Sequence, residues 1–346
     1  MDDSALIRRV LSDILGREED MEVIGTAPDA LAAREMIRAH NPDVLTLDIE
    51  MPKMNGLDFL EKLMHLRPMP VVMVSTLTRA GTESTLRALE LGAVDFVAKP
   101  AVDVLQGMED YAQEIVAKVR AASRVVRRRP HETTPVSMRA LPSLASRGAT
   151  TQKLVFIGAS TGGPEAIRSI VQRLPADCPP ILVTQHMPPG YTETFAERLD
   201  KVSEVHVEEA RHGAPVESGR VYVAPGGMHL AIGRKGAGYS IVVIDSEAVN
   251  RHKPSVDVLF ESAAREVREQ AIGVLLTGMG KDGAQGLLAM REAGAHTMAQ
   301  DETTSIVFGM PREAIAIRAV TEVVPLGDIP AHILRIAAPT TEAATS

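Results

Sequence analysis

Leu154-Val-Phe-Ile-Gly-Ala-Ser160-Thr-Gly-Gly-Pro164 decides how this chain is read. Four apolar residues, Val155 and Ile157 among them β-branched, run straight into a turn of small residues. Beyond Pro164, residues Ala166, Ile167, Ile170 and Val171 recur at the spacing of one helix face. Pro164 suits a first helical turn, where a missing N–H is no loss. Ser160 is therefore expected on a tight strand-to-helix turn, at the carboxyl end of a buried parallel strand. Gly158-Ala-Ser160-Thr-Gly162 also fits the G-x-S-x-G nucleophile elbow in its required context. There, N–H groups at the helix start can hold an oxyanion. A glycine-rich turn of this kind equally cradles phosphate. On this stretch alone both readings stand, and a nucleophile needs a base and an orienting acid elsewhere.

Working outward, Ile181-Leu-Val-Thr-Gln185 reads as a second buried strand, and His186 follows at its carboxyl end. That is the sheet edge on which a general base for Ser160 has to lie. Ala271 to Leu276 is a third apolar strand, leading into Thr277-Gly-Met279-Gly-Lys-Asp282-Gly283. A carboxylate at Asp282 is placed to orient His186 and stabilise its imidazolium. His212, His229, His252 and His296 are also available, but a lone loop histidine is ordinarily a surface or packing residue. Arg220–Ala224 and Ser240–Ile244 read as strands with a tight turn at Pro225 to Leu230 between them, and Ser255–Arg268 reads as a helix.

Residues 1–100 alternate strand and helix patterns. Helices are expected at Ala5–Leu15, Ala30–Ala39, Leu57–Leu66 and Thr82–Leu91. Strands are expected at Met21–Gly25, Val44–Asp48, Val71–Ser75 and Val94–Val97. The pattern implies a parallel sheet with crossover helices, whose ligands bind at the carboxyl strand ends. Asp48, Ser75 and Lys99 all lie on that edge, and Asp2-Asp3 precede the first helix. Crowded carboxylates repel, and a hard divalent cation relieves the repulsion. Asp48 can then attack a phosphoryl group, with Ser75 and Lys99 holding the new phosphate oxygens. Residues 101–125 read as a closing helix that includes Val104, Leu105 and Ile115. The basic run Arg127-Arg-Arg-Pro130 and the Ser/Thr/Pro/Ala-rich stretch to Ala149 cannot build a core and read as a linker.

At 346 residues the chain is expected to form two domains. Over residues 152–346, 18 Lys and Arg stand against 23 Asp and Glu. This acidic balance argues against a nucleic-acid-binding output domain. The single Cys178 excludes an internal disulfide, and no stretch has the length of a membrane span. The expectation is a cytoplasmic α/β protein.

The motifs then carry two resemblances. Asp2-Asp3-Ser4, Thr46-Leu-Asp48-Ile-Glu-Met-Pro52 with Gly56, Ser75, and Ala98-Lys99-Pro100 resemble a two-component receiver domain. The resemblance implies Asp48 as phosphoacceptor and Mg2+ held by Asp2, Asp3, Asp48 and the Glu50 backbone carbonyl. Ser75, Lys99 and Phe96 become the switch residues. The family's apolar first strand is missing before Asp2, so the start is expected about five to eight residues further upstream. A chain beginning at Met1 is expected to have a poorly stable receiver.

The second half is similar to the catalytic domain of chemotaxis protein-glutamate methylesterases. The matching stretches are Ile157–Gly163, Gln185–Gly190, Val223–His229, Pro254-Ser-Val-Asp257 and Leu276–Gly280 with Asp282-Gly283. The implied architecture is a flavodoxin-like receiver over residues 1–120, lacking its first strand, a linker over 121–150, and a Rossmann-like esterase domain over 151–342. Both domains are doubly wound parallel sheets. The resemblance implies a Ser160–His186–Asp282 triad, with Thr161 helping to position the histidine and Met279 lining the site. The substrates implied are glutamyl methyl esters on chemoreceptors, with deamidation of receptor glutamines besides. A chemotaxis histidine kinase is the implied phosphodonor, the receptors the only link to the membrane, and the esterase step needs no cofactor. The unphosphorylated receiver is expected to block the catalytic face. The reading in competition is a receiver-controlled nucleotide-binding module, although the first turn lacks the expected lysine.

Overall fold

The computed structural model describes residues 1–51, 54–76, 78–99, 107–125, 141 and 153–338. The basic run 127–130 and most of the expected linker lie outside these residues, as do Pro52, Pro100, Val104 and Leu105. The chain divides into two compact units, Met1–Glu132 and Thr133–Ser346.

In the first unit, α1 (Ala5–Leu15) and α2 (Ala30–His40) precede β1 (Leu45–Asp48). They are followed by α3 (Gly56–Leu66), β2 (Val71–Ser75), α4 (Arg79–Glu90), β3 (Asp95–Ala98) and α5 (Gly107–Ser123). The strands form a parallel sheet in the order β1-β2-β3. Short polar side chains start the helices: Ser4, Asp29 and Asn55 each accept a backbone N–H of the first turn. Val72, Val74 and Val97 from the sheet pack with Leu11, Ile14 and Ile115 from α1 and α5. Full burial stabilises each such side chain by about 1.5–3 kcal/mol.

Met21–Gly25 is a correction: this stretch forms no strand. Val23 and Ile24, expected inside a sheet, are exposed. A strand needs a ladder partner, and in a receiver topology that partner is the strand ahead of the acid pair. Among the described residues, Met1 and Asp2 lie on that line. Met1 donates to the Thr46 carbonyl and accepts from Asp48 N–H, and Asp2 N–H donates to Ala27. These bonds are too few to hold residues 21–25 in a sheet.

In the second unit, β4 (Leu154–Ala159), α6 (Gly163–Val171), β5 (Ile181–Gln185), α7 (Tyr191–Lys201), β6 (His206–Glu209) and β7 (Arg220–Val223) come first. A hairpin of β8 (His229–Lys235) and β9 (Gly238–Ile244) follows. The unit closes with α8 (Val256–Glu266), β10 (Ala271–Leu275), α9 (Ala284–Glu292), β11 (His296–Gln300), α10 (Met310–Ala316), β12 (Glu322–Val324) and α11 (Ile329–Ala337). Seven strands form one parallel sheet in the order β12-β11-β10-β4-β5-β7-β6. The order reverses beside β4, which is where a doubly wound sheet opens its crevice. Phe156, Leu182, Leu259, Phe260 and Leu287 belong to one buried core beneath it.

Two details differ from expectation. His229 and Leu230 belong to β8 rather than to the preceding turn, and β9 pairs antiparallel with β8 in a separate two-stranded sheet. Burial of His229 and Leu230 against α8 gives these residues a strand's environment that local turn chemistry does not reveal.

Candidate active site

Register brings the strand tips of the second unit level with one another. Ala159 pairs with Gln185 across β4 and β5, and Gly158 pairs with Leu275 across β4 and β10. Ser160 and His186 each follow immediately after a paired residue, and two ladder-like bonds tie them down: Ser160 N–H donates to Thr277, and His186 N–H to Ala159. Gly162, at φ +74°, turns the chain from β4 into α6, a conformation that only glycine adopts without strain.

His186 Nδ1 lies 3.1 Å from Ser160 Oγ, and His186 Nε2 lies 2.8 Å from Asp282 Oδ2. The three side chains thus form one hydrogen-bonded line. Asp282 is buried, yet it carries several donors. Ser255 Oγ–H (2.7 Å) and Asn250 Nδ2–H (2.8 Å) bond its Oδ1, and Val256 N–H (2.6 Å) bonds its Oδ2. Burial alone would raise the pKa of Asp282. The bond and charge of His186, then Asn250 and the Val256 N–H, override it and hold this carboxyl well below the usual range. The carboxylate also caps the amino end of α8, where unpaired N–H groups and the helix dipole favour an anion. Gly158 permits that arrangement: a Cβ there would lie 2.2 Å from Val256 Cγ1.

Sequence reasoning missed three residues around this acid and one beneath Ser160. Asn250 Nδ2 bridges Asp282 and Asp257, at 2.8 and 2.7 Å. Asp257 is buried and pushed up to about 6, first by desolvation and then by the charge of Asp282, against the N–H bonds of Gly286 and Asn250. Ser255, the N-cap of α8, gives its hydroxyl to Asp282 rather than to its own helix. Gln185 donates its buried amide to the carbonyls of both Ser160 (3.0 Å) and His186 (3.2 Å). Their only signal was membership of the motif stretches; Asn250 lay in none.

Thr161 is buried, and its carbonyl accepts from Thr277 Oγ1 at 3.0 Å. Met279 is half-buried in the loop 277–280. That loop lies against Ser160, since a Cβ on Gly278 would come within 2.8 Å of Ser160 Cβ.

The first unit carries a separate cluster. Carboxylate oxygens of Asp2, Asp3 and Asp48 lie within 4.8 Å of one another. Lys99 Nζ reaches Asp48 at 2.8 Å and Asp2 at 3.2 Å. Burial, with the charge of Asp2, raises the pKa of Asp48 in spite of Lys99. Burial also pulls Lys99 down, but Asp48 and Asp2 outweigh it and leave the lysine raised. The three carboxylates outnumber the one ammonium, and an all-oxygen donor set of this kind suits a hard dication. Glu50 N–H donates to Asp48, and the Glu50 carboxylate accepts from Thr76. The Ser75 hydroxyl donates to the Gly81 and Thr76 carbonyls. Phe96 is buried beneath Lys118, whose Nζ lies 5.1 Å from the ring centroid.

The chain matches known proteins along nearly its whole length. Residues 155–333 match the CheB methylesterase family, and residues 1–108 match the response regulator receiver domain. A protein-glutamate methylesterase/protein-glutamine glutaminase of Bordetella bronchiseptica is 60% identical, covering 96% of this chain and 95% of that relative. A protein of the same description from Methylobacillus flagellatus is 55% identical, covering 97% and 95%. The crystal structure of the Thermotoga maritima CheB methylesterase catalytic domain covers 54% of this chain and 100% of its own, at 39% identity and a TM-score of 0.53. On these matches the chain belongs to the CheB methylesterase family, with a receiver domain ahead of its methylesterase domain.

Proposed function

We propose that this chain hydrolyses γ-glutamyl methyl esters on chemoreceptors, and deamidates receptor glutamines, through a Ser160–His186–Asp282 triad. The observation that carries the reading is the single hydrogen-bonded line from Ser160 Oγ through both ring nitrogens of His186 to Asp282. Ser160 Oγ attacks the ester carbonyl as His186 Nδ1 takes its proton. Asp282 stabilises the resulting imidazolium. Amide N–H groups at the amino end of α6 hold the developing oxyanion. His186 then protonates the departing methoxide, methanol leaves, and water attacks the acyl-enzyme by the same route in reverse. With ammonia as leaving group the same steps deamidate glutamine. Thr161 and Met279 shape this site, and none of these steps needs a cofactor.

Asp48 accepts the phosphoryl group from a chemotaxis histidine kinase, and phosphorylation raises esterase activity. Asp2, Asp3 and Asp48, with the Glu50 carbonyl, would hold the Mg2+ that offsets charge during phosphoryl transfer. Lys99, Ser75 and Phe96 read the result. No helix among the described residues is long and apolar enough to cross a membrane, and the proposed substrates place the chain in the cytoplasm, at the receptors. The proposed domains are receiver 1–120, linker 121–150 and esterase 151–342, with α5 running on into the linker span as far as Ser123.

The test is methanol release from methyl-labelled receptor membranes, comparing wild type with Ser160→Ala. Loss of release in a folded variant supports the nucleophile; equal release from both proteins removes Ser160 from the role.

A further inference from the structure

His252 lies face to face with His186, its ring centroid 3.7 Å away and its plane inclined by 12°. Hydrogen bonds at imidazole nitrogens are directed in the plane of the ring. They fix where Nδ1 and Nε2 point, but they resist an out-of-plane tilt of the ring only weakly. A flat group packed on one face resists that tilt directly.

The backbone that carries His252 is built for this placement. Val249 and His252 close a two-residue hairpin: each N–H donates to the other's carbonyl, at 3.1 and 2.9 Å. Asn250 and Arg251, between them, have φ of 52° and 66°. Two successive non-glycine residues in the left-handed region store strain, which persists only where surrounding contacts over-determine the turn. Those contacts are present. Asn250 Nδ2 is held between Asp282 and Asp257. Behind the turn, buried His229 donates from Nε2 to the Glu247 carbonyl and accepts the Ser255 N–H at Nδ1, which pins both stems of the loop. One four-residue turn therefore touches the acid of the line through Asn250 and its base through His252.

We propose that His252 is a positioning residue for the general base, its ring stacking on His186 to hold the imidazole in the plane that serves Ser160 and Asp282. The inference rests on the serine-esterase reading above. A misplaced base slows the proton transfer that accompanies attack and leaves substrate binding unchanged. The aromatic face is therefore the property that matters, not the histidine's own ionisation.

The test uses the full chain with His252→Phe, which keeps a flat face, and His252→Gln, which keeps polar bulk without one. Two rates are read: methanol release from methyl-labelled receptor membranes, resolved into kcat and KM, and covalent labelling by a fluorophosphonate probe, with Ser160→Ala as reference. The expected result is a loss of about tenfold in kcat and in labelling for the Gln variant, KM unchanged, with most of the rate retained by the Phe variant. The proposal is overturned if the Gln variant matches wild type, if both variants are equally slow, or if the change falls in KM. A Gln variant whose melting midpoint drops along with its rate would reduce His252 to a folding role, which also overturns it. If wild type neither labels nor releases methanol above Ser160→Ala, the esterase reading fails, and this inference fails with it.

Discussion

His186 turns Nε2, not Nδ1, toward Asp282, at 2.8 Å. The Asp282 carboxylate is ionised and can only accept, so Nε2 carries the proton. The lone pair of Nδ1 is thereby left facing Ser160, 3.1 Å away. The carboxylate on the other side of the ring sets this tautomer, in which Nδ1 is free to accept from Ser160.

Asp282→Asn is expected to break that assignment. Each Asp282 oxygen accepts more than one donor, so an amide group in either orientation meets an N–H it cannot accept. The expected outcome is a fall in kcat on the order of 10³–10⁴. Unpaired donors should also destabilise the fold by about 1–3 kcal/mol. Methanol-release kinetics and urea unfolding read the two effects. A variant within a factor of ten of wild-type kcat would dismiss Asp282 as the orienting acid.

Asp257 supplies a pH prediction. Its folded pKa of about 6 stands above the ordinary carboxylate value, so the native protein binds this proton more tightly than the unfolded chain. Its contribution to stability therefore rises as pH falls through about 6 toward about 4, and is flat outside that window. Asp282, held low, contributes in the opposite sense: its stabilisation is present above the unfolded value and is lost only at more acidic pH. Carboxyl-carbon NMR should find Asp257 titrating near 6, with Asp282 still ionised at pH 4. Asp257→Asn should remove the corresponding stability slope. A midpoint near 4 for Asp257 would contradict the burial argument.

In the first unit, Asp48→Asn is expected to abolish incorporation of phosphate from a small-molecule phosphodonor and to weaken Mg2+ binding. Asp2→Ala should weaken the cation far more than Ser75→Ala does, because Asp2 and Asp48 share the cluster while the Ser75 hydroxyl bonds backbone carbonyls. Calorimetric Mg2+ titration and phosphoprotein mass spectrometry measure both. Equal Mg2+ affinity in wild type and Asp2→Ala would remove Asp2 from the site.

Gly163→Ala tests the packing under Ser160. A Cβ at this position would lie 2.0 Å from Gln185 Oε1 and 2.7 Å from Ala159 Cβ. The Gln185 amide must then leave the carbonyls of Ser160 and His186. The expected costs are about 1–3 kcal/mol of stability and a fall in kcat with little change in KM. Wild-type kinetics in this variant would show that the Gln185 clamp does not position the two residues.

From sequence alone came whatever depends on local pattern and parallel-sheet geometry. Apolar runs at 154–157, 181–183 and 271–275 announced buried strands. In a parallel sheet, residues just past such runs share one edge, which placed Ser160, His186 and Asp282 together before any distance was known. Asp48, Ser75 and Lys99 were placed by the same rule, although only Asp48 and Lys99 meet in an ion pair. Met21–Gly25 had a strand's residues and formed none, because a strand is completed by its neighbour rather than by its own propensity.

Tertiary structure alone decided the surroundings of Asp282 and His186. Asn250 and His252 come from a short turn after a hairpin that belongs to a separate sheet, with no periodicity to place them. His252 had every mark of an ordinary loop histidine, and Asp257 of a solvated acid in the first turn of a helix. Their placement goes with the amino end of α8 arriving over Gly158, a contact between segments about a hundred residues apart. Local sequence encodes elements and their ends. Which side chains then share a buried charge is settled by packing, where burial and hydrogen bonding act on whatever groups the fold brings into reach.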